Sequence, residues 1–211
     1  MSAPGFFVVV EGPEGSGKST LVRGLAGRME GQGREPVVVR EPGGTSVAES
    51  VRRALLEADH KVAPVAELFL FLAARADLTA QVLRPALQSG RVVLADRFTL
   101  SSEVYQVAGR GLDRELVVAG NAAATGGLGA DLTLVLDLPA GIGRERQEAA
   151  GKVLDRLDRE SGDFHDRICR AYLGATGPGV VHLDGTLPAG RLLDAAWTAV
   201  VDRRPDLWRQ T

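Results

Sequence analysis

The chain alternates between short runs of apolar, β-branched residues and longer segments with helical periodicity. Several of the apolar runs are nearly continuous, which is typical of strands buried on both faces of a parallel sheet. The predicted strands span residues 6–11, 35–40, 91–96, 131–138 and 179–184. The predicted helices span about 17–32, 45–59, 64–89, 112–124, 139–150, 158–175 and 188–203. This alternation predicts an α/β fold, an open parallel five-stranded sheet flanked by helices.

The second predicted helix carries a start signal in its sequence. Thr45 or Ser46 is the candidate N-cap, and Glu49 stands at capping-box spacing from Ser46. The sequence does not decide between Thr45 and Ser46 as the N-cap.

Length and composition fit one soluble globular unit. The 211 residues suffice for one sizeable core, so residues 1–211 are predicted to form a single domain. Hydrophobic residues make up 45% and charged residues 25% of the chain. We see no stretch of roughly 20 apolar residues that would span a membrane and no signal peptide at the N-terminus. A cytoplasmic location is expected.

Charge and cysteine content exclude several function classes. The net charge of −2 gives no global positive field, so no nucleic-acid partner is expected. The single cysteine, Cys169, excludes an internal disulfide, and the three histidines lack metal-ligand spacing. Basic residues are almost all arginine, and the lysines are only Lys18, Lys61 and Lys152.

One short motif indicates nucleotide chemistry. The stretch "GPEGSGKS" from Gly12 to Ser19 matches the phosphate-loop pattern, follows a predicted strand and opens a predicted helix. Its backbone N–H groups and the helix N-terminus favour a bound triphosphate. Lys18 is expected to reach the β/γ-phosphates and Ser19 to hold Mg²⁺. The predicted nucleotide-binding residues are Gly12, Gly15, Ser16, Gly17, Lys18, Ser19 and Thr20.

Polar residues at the ends of other strands supply further candidates. Asp96 ends the third strand, where a carboxylate orients Mg²⁺-bound water; its structural alternative is an N-cap. Arg97 follows it, and the alternative for Arg97 is a surface ion pair with Asp96. Arg40 ends the second strand and either contacts an acceptor or holds a loop. Guanidinium forks suit bidentate phosphate contacts.

Several motifs together make the chain resemble bacterial thymidylate kinases over about residues 6–200. They are "EGPEGSGKST", "REPGGT", "FLAARADL", "ADRFTLSSEVYQ", "DLTLVLDL" and the region "LDRLDRES" to "RICRAYL". The resemblance implies a P-loop NTPase-type fold with a short lid at about 141–157. It also implies transfer of the ATP γ-phosphate to dTMP with Mg²⁺, and a homodimer.

The resemblance assigns roles to residues on the acceptor side. Arg97 is implied to touch the acceptor phosphate and bridge it to the donor. Phe71 and Arg75 lie on one helical face and are implied to stack on thymine and donate to a base carbonyl. For Phe71 taken alone, a place in the core is the alternative.

Four further roles rest on the same resemblance. Tyr105 is implied to crowd the ribose 2′ position and so favour deoxyribose. Ser101 and Gln106 correspond to residues near the base. Glu14 corresponds to the acidic residue that accepts from the acceptor's 3′-hydroxyl; its alternative is a solvated loop carboxylate.

The sequence departs from the family pattern in two places. Val107 and Ala108 follow "YQ" where glycines are usual, and could reshape the base pocket. The lid keeps Arg144 and Arg146, but "QEAAG" replaces expected arginines, and Lys152 follows with an apparent one-residue insertion. Arg146 is the first candidate for the transition-state cation and Arg156 the second.

Two other functions stay open at this point. The departures are compatible with a related kinase that acts on a modified pyrimidine nucleotide or another small phosphorylated acceptor. The altered lid is also compatible with a nucleotide-binding regulatory protein of weak activity.

Overall fold

The computed structural model describes residues 5–57, 61–139 and 141–208 of the chain. Its strands form one parallel sheet in the order β2-β3-β1-β4-β5. The strands are β1 (Phe6–Glu11), β2 (Val37–Arg40), β3 (Val92–Asp96), β4 (Leu132–Asp137) and β5 (Val180–Asp184). The predicted parallel five-stranded sheet is therefore confirmed, with each strand inside its predicted range.

Helices cover both faces of the sheet. They are α1 (Lys18–Gly31), α2 (Ser46–Arg52), α3 (Pro64–Leu78), α4 (Arg84–Gln88), α5 (Thr99–Ser102), α6 (Arg114–Thr125), α7 (Ile142–Ala149), α8 (Gly162–Leu173) and α9 (Ala189–Arg203). Wider π-helical turns continue α2 over Arg53–Glu57, join α3 to α4 over Thr79–Leu83 and continue α5 over Glu103–Gly109. The predicted helix ends are mostly too long by one to four residues, and residues 58, 59 and 140 of the predictions lie outside the described residues.

One helical segment was not predicted. Residues 99–109 form α5 and its π-helical continuation, although their sequence mixes serine with β-branched residues. The cause is a distant carboxylate: Glu11, at the end of β1, accepts from the backbone N–H of Phe98 at 2.8 Å and of Ser101 at 3.1 Å. These bonds satisfy N–H groups at the helix start that would otherwise lack partners.

The start of α2 settles the choice of N-cap. The hydroxyl of Thr45 accepts from the backbone N–H of Ala48 at 3.1 Å, so Thr45 is the cap. Glu49 instead accepts from the N–H of Gly44 at 3.1 Å and pairs with Arg40 at 3.2 Å.

Two apolar layers enclose the sheet. On one face, α1 and α9 pack over β1 and β4, with Leu25, Met29 and Val200 fully buried. On the other, Leu78 and Leu83 cover β1 and β3. Strand β1 is buried along its whole length, as the continuous apolar run predicts.

A buried carboxylate ties the second layer together. Glu67 on α3 is inaccessible to solvent and accepts from the side-chain amide of Gln106 at 3.0 Å. It also pairs with Arg110 at 2.9 Å and with Arg156 at 2.6 Å. These bonds connect α3 to the π-helical turn after α5, to Arg110 just beyond that turn and to Arg156 between α7 and α8.

Two features are absent from the described part of the chain: helices that could span a membrane and clusters of three or more metal-ligating side chains. None of its helices combines the length and the apolarity that crossing a membrane requires. Within the same residues, no group of three or more His, Cys, Asp or Glu side chains is arranged to hold a metal ion by itself.

The Glu67 cluster predicts a large stability effect. Glu67→Gln removes the buried charge shared by two arginines and is expected to lower the free energy of unfolding by about 3 kcal/mol. The matched control is Glu103→Gln, whose partner Arg114 is 71% exposed, with an expected change below about 1 kcal/mol. Urea denaturation measures both; equal effects of the two substitutions would contradict the prediction.

Candidate active site

A cavity of about 640 Å³ opens at the carboxyl ends of the strands, where ligands bind in open α/β sheets. Of the predicted site residues, those that line it are Glu14, Gly15, Gly17, Lys18, Ser19, Thr20, Arg40, Phe71, Arg75, Asp96, Arg97, Ser101, Tyr105, Gln106 and Arg146. Gly12 and Ser16 lie behind this surface. The sheet thus brings together residues that are far apart in sequence, although their individual roles remain predictions.

The phosphate loop has the backbone that its glycines allow. Gly12, Gly15 and Gly17 have φ of 145°, 72° and 95°, and Gly17 leads directly into α1. The Ser16 hydroxyl is buried without a hydrogen-bond partner. Nζ of Lys18 donates to the carbonyl of Pro13 at 2.8 Å, across the loop. These features fit a phosphate cradle: a free hydroxyl, a helix N-terminus and a lysine that folds over the loop.

Lys18 is buried, and its charge is costly there. Burial and the neighbouring charge of Arg97 lower the pKa of Lys18 from 10.5 to about 8. A bound phosphate would favour the protonated form by the opposite effect.

Ser19 and Asp96, the two predicted magnesium ligands, lie in hydrogen-bond contact. The Ser19 hydroxyl donates to Oδ2 of Asp96 at 2.7 Å, which joins the start of α1 to the end of β3. Both supply oxygen ligands, which Mg²⁺ prefers, and Mg²⁺ in such sites takes its other ligands from water and substrate phosphates. The donor set therefore fits Mg²⁺ without a larger protein cluster.

Arg97 occupies a strained position between the loop and the opposite wall. Among the residues described, Arg97 is the non-glycine residue with a positive φ, which is 77°. Its guanidinium does not pair with Asp96. Its Nη2 donates to Oε1 of Glu14 at 2.6 Å, and Nη1 donates to the Tyr172 hydroxyl at 2.9 Å. Tyr105 lies under the guanidinium, with Cζ 5.1 Å from the ring centroid.

The Arg97 contacts make Glu14 strongly acidic. Burial alone would raise the pKa of Glu14, but the charges of Arg97, Lys18 and Lys152 lower it from 4.5 to about 2. The Tyr105 hydroxyl also donates to Glu14 at 3.2 Å. Glu14 is thus an ionised acceptor facing the cavity rather than a solvated loop carboxylate.

Phe71 and Arg75 line the far wall, one helical turn apart on α3. Phe71 is half-buried, whereas Arg75 is buried and paired with Glu41 at 2.6 Å. The other donors of Arg75 bond Ser102 at 2.7 Å, Asn121 at 2.5 Å and the carbonyl of Phe98 at 3.0 Å. Donation from Arg75 to a base carbonyl therefore requires the exchange of one internal partner.

Two predicted site residues, Gln106 and Ser101, are hydrogen-bonded to buried carboxylates. Gln106 is buried and uses its amide N–H on Glu67. Ser101 donates to Oε2 of Glu11 at 2.6 Å and accepts from Arg97 at 3.1 Å. Arg40 is more exposed and pairs with Glu49 at the rim.

The departures at 107–108 lie away from the cavity. Neither Val107 nor Ala108 lines it, and the carbonyl of Ala108 accepts from Arg167 at 3.0 Å on the outer side. These substitutions therefore give no direct reason for a different acceptor.

Several site residues were missed in the sequence. Glu11 ends β1 as Asp96 ends β3, so its position at a strand end was an available signal. For Glu41 and Lys152, the only feature of the sequence that points to the site is that the side chain is charged. Tyr172, buried on α8, has no local signal because its partners Glu11 and Arg97 are far away in sequence.

Comparisons with known proteins agree with this geometry. The family model described as thymidylate kinase matches residues 10–194. A thymidylate kinase of Desulfovibrio desulfuricans is 50% identical over 173 residues, covering 79% of this chain and 80% of that protein. One from Cereibacter sphaeroides is 47% identical over 196 residues, covering 88% and 90%. One from Deinococcus radiodurans is 40% identical over 202 residues, covering 94% and 98%.

The low pKa of Glu14 predicts a pH-dependent stability difference. Since the folded pKa of about 2 lies below the ordinary 4.5, ionised Glu14 stabilises the fold above pH 4.5. That contribution is lost as pH falls from 4.5 towards 2. The difference in unfolding free energy between wild type and Glu14→Gln should be about 1–2 kcal/mol larger at pH 6 than at pH 3.

Urea titrations at the two pH values measure this difference, with circular dichroism as the control that both proteins start folded. The same difference at pH 6 and pH 3 would contradict the assignment of an ionised, paired Glu14.

Proposed function

This chain belongs to the thymidylate kinase family, and from that premise we propose how its cavity carries out the family's reaction. The enzyme moves the γ-phosphoryl group of ATP to dTMP, giving ADP and dTDP. One observation carries the assignment of residues: Arg97 contacts Glu14 of the phosphate loop at 2.6 Å inside a cavity that also contains Phe71 and Arg75. The guanidinium of Arg97 thus lies between the phosphate loop, where we place the donor, and the wall with Phe71 and Arg75, where we place the acceptor.

On the donor side, we assign the triphosphate to the loop from Gly12 to Thr20. The Ser16 hydroxyl without a partner and the N-terminus of α1 supply hydrogen-bond donors. Lys18 would leave the Pro13 carbonyl for the phosphate oxygens. Ser19 and Asp96 would hold Mg²⁺, which when bound neutralises charge on the donor phosphates.

On the acceptor side, we assign the dTMP phosphate to Arg97. Phe71 offers a ring face for thymine, and Arg75 would exchange one internal partner for a base carbonyl. Glu14 accepts from the 3′-hydroxyl, and Tyr105, fixed between Arg97 and Glu14, limits space at the ribose 2′ position. Ser101 and Gln106 complete this wall, and Arg40 closes it at the rim.

The chemistry needs cations more than a base. The acceptor phosphate oxygen is already anionic, so no proton has to be removed before it attacks. The obstacle is repulsion between two phosphates, which Arg97, Lys18 and the lid cations offset by positioning and charge. Of the two candidate lid arginines, Arg146 lines the cavity and Arg156 does not.

Domain organisation and location follow from the same proposal. We propose that the whole chain is one kinase domain whose lid is the segment 141–157, because all five strands share one sheet. A cytoplasmic location is proposed because both substrates belong to the nucleotide pool there. The alternatives of a modified acceptor or a weakly active regulatory protein are not favoured, since Val107 and Ala108 lie off the cavity and the phosphate-transfer residues line it.

We further propose a homodimer. Exposed apolar side chains lie on two helices that pack together: Val65 and Phe69, one turn apart on α3, and Leu116 and Val118 on α6. Phe69 is 55% exposed, unusual for a large aromatic side chain on a free surface.

An acceptor panel tests the proposed reaction. With ATP and Mg²⁺, kcat/KM should be highest for dTMP among dTMP, dUMP, dCMP and UMP in a coupled ADP assay. Lys18→Met should lower kcat by about 100-fold or more, because a phosphate-stabilising charge is lost. The exposed Lys61→Met serves as the control and should retain activity. Preferred turnover of another monophosphate, with dTMP inert, would overturn the proposal.

The dimer has its own test. In sedimentation velocity, wild type is expected at the mass of two chains, and Phe69→Glu should shift it towards one. Leu173→Glu is the control, because Leu173 is 65% exposed on α8, outside the α3 and α6 surface. A wild-type monomer, or a Phe69→Glu dimer as stable as wild type, would contradict this interface.

A further inference from the structure

The lid segment 141–157 contains four basic side chains, and the structure separates them into two groups. Arg144 is 68% exposed and pairs with Glu148 at 3.1 Å on the outer face of α7. Arg156 donates Nε to the carbonyl of Leu55 at 2.7 Å and Nη2 to buried Glu67 at 2.6 Å. Neither lines the cavity, whereas Arg146 and Lys152 do.

Arg146 and Lys152 face different parts of the cavity. Arg146 donates to the carbonyl of Gly185 at 2.9 Å, just after β5. In the sheet, β1 and β4 lie between β5 and β3, the strand that leads into Arg97. Strands lie about 4.8 Å apart, so this anchor is roughly 14 Å across the sheet from the start of Arg97.

Lys152 is held on the side of the cavity that contains Tyr105. Its partner is Asp158, and the adjacent Leu157 packs in the same buried cluster as Tyr105, which lies against Arg97 and donates to Glu14 at 3.2 Å. The charge of Lys152 acts on Glu14 together with the charges of Arg97 and Lys18, and all four groups line one cavity. The charges of three cations, one from the phosphate loop, one from the end of β3 and one from the segment 141–157, therefore act on Glu14. Of the three, Arg97 contacts Glu14 directly, at 2.6 Å.

We propose that Lys152 is the lid cation that contacts the transferring phosphoryl group, in the place that a lid arginine would otherwise take. This inference rests on the proposed function and names a further catalytic residue for it. Arg156 acts instead as a structural anchor for the end of the lid. Arg146, fixed to the turn after β5, would serve the donor nucleotide.

The local structure lets Lys152 move while both oxygens of its buried partner keep a hydrogen bond. Its Nζ pairs with Asp158 at 2.9 Å, and the Asp158 side chain is fully buried. Asp158 has two other donors, the amide of Gln147 at 2.6 Å and the backbone N–H of Asp155 at 2.9 Å. Each carboxylate oxygen therefore keeps a hydrogen bond when the lysine turns towards a phosphate.

Lysine is suited to this movement. Its ammonium is a compact charge on a flexible four-carbon stem, whereas the guanidinium of Arg156 is fixed by two partners. Burial lowers the pKa of Lys152, but its hydrogen bond to Asp158 and the charge of Glu14 outweigh this and leave it raised. The residue thus stays positively charged at neutral pH.

The step itself balances without a proton. The bond between the γ-phosphorus and the β–γ bridging oxygen breaks, and its electron pair leaves with ADP. A bond forms between the γ-phosphorus and an oxygen of the dTMP phosphate. Negative charge spreads over the three equatorial oxygens during transfer, and there a further cation stabilises the transition state most.

The test uses Lys152→Met, with Arg144→Met as the matched control from the same segment. Lys152→Met should lower kcat about 100-fold and change the KM for dTMP less than about threefold, since the contact is made in the transition state. Arg144→Met should stay within about twofold of wild type. Lys152→Arg should recover at least a tenth of wild-type kcat. Unchanged kcat in folded Lys152→Met would overturn the proposal.

A double variant separates a catalytic role from a structural one. If Lys152 only neutralises Asp158, then Lys152→Met with Asp158→Asn should restore kcat, and that result would refute the proposal. If Lys152 acts on the phosphoryl group, the double variant should remain as slow as Lys152→Met.

Wild-type turnover distinguishes this inference from the proposed function. A wild-type enzyme inactive on dTMP overturns both. A wild type active on dTMP with a fully active Lys152→Met leaves the reaction standing and removes only the role of Lys152.

Discussion

The site depends on one buried carboxylate, Glu11, at the end of the central strand. It accepts from two backbone N–H groups, the Ser101 hydroxyl and the Tyr172 hydroxyl, between 2.6 and 3.1 Å. A charge without solvent access is tolerated only when such donors surround it. By collecting them, Glu11 fixes the start of α5 and the side chain of Tyr172, and both then hold Arg97.

Three of the cations that line the cavity are paired with carboxylates of the protein itself. Arg97 is paired with Glu14, Arg75 with Glu41 and Lys152 with Asp158. Because these pairs preserve the positions of the cations, an incoming phosphate meets charges that are already oriented. When such a cation exchanges its carboxylate partner for a phosphate, its charge contacts change but the backbone moves little. A preorganised site stabilises charge in this way.

The fold was largely predictable, and the misses have physical causes. The apolar runs located all five strands, and they are most continuous in β1, β3 and β4, because a strand buried on both faces is apolar at successive positions. Residues 99–109 left no such record, because their helix starts on Glu11, which lies almost ninety positions earlier in the chain. The N-cap at Thr45 could not be separated from Ser46, since both hydroxyls satisfy the local rule.

The candidate site divides in the same way. The sequence by itself determined the phosphate loop, the Asp96–Arg97 pair of positions and the Phe71–Arg75 face, because each is encoded within a few residues. Only the tertiary structure decided that Arg97 turns to Glu14, that Arg75 is held by Glu41 and that Arg156 pairs with Glu67 instead of lining the cavity. A charged side chain is long and flexible, so its partner is chosen by what the fold brings near it and not by its neighbours in sequence.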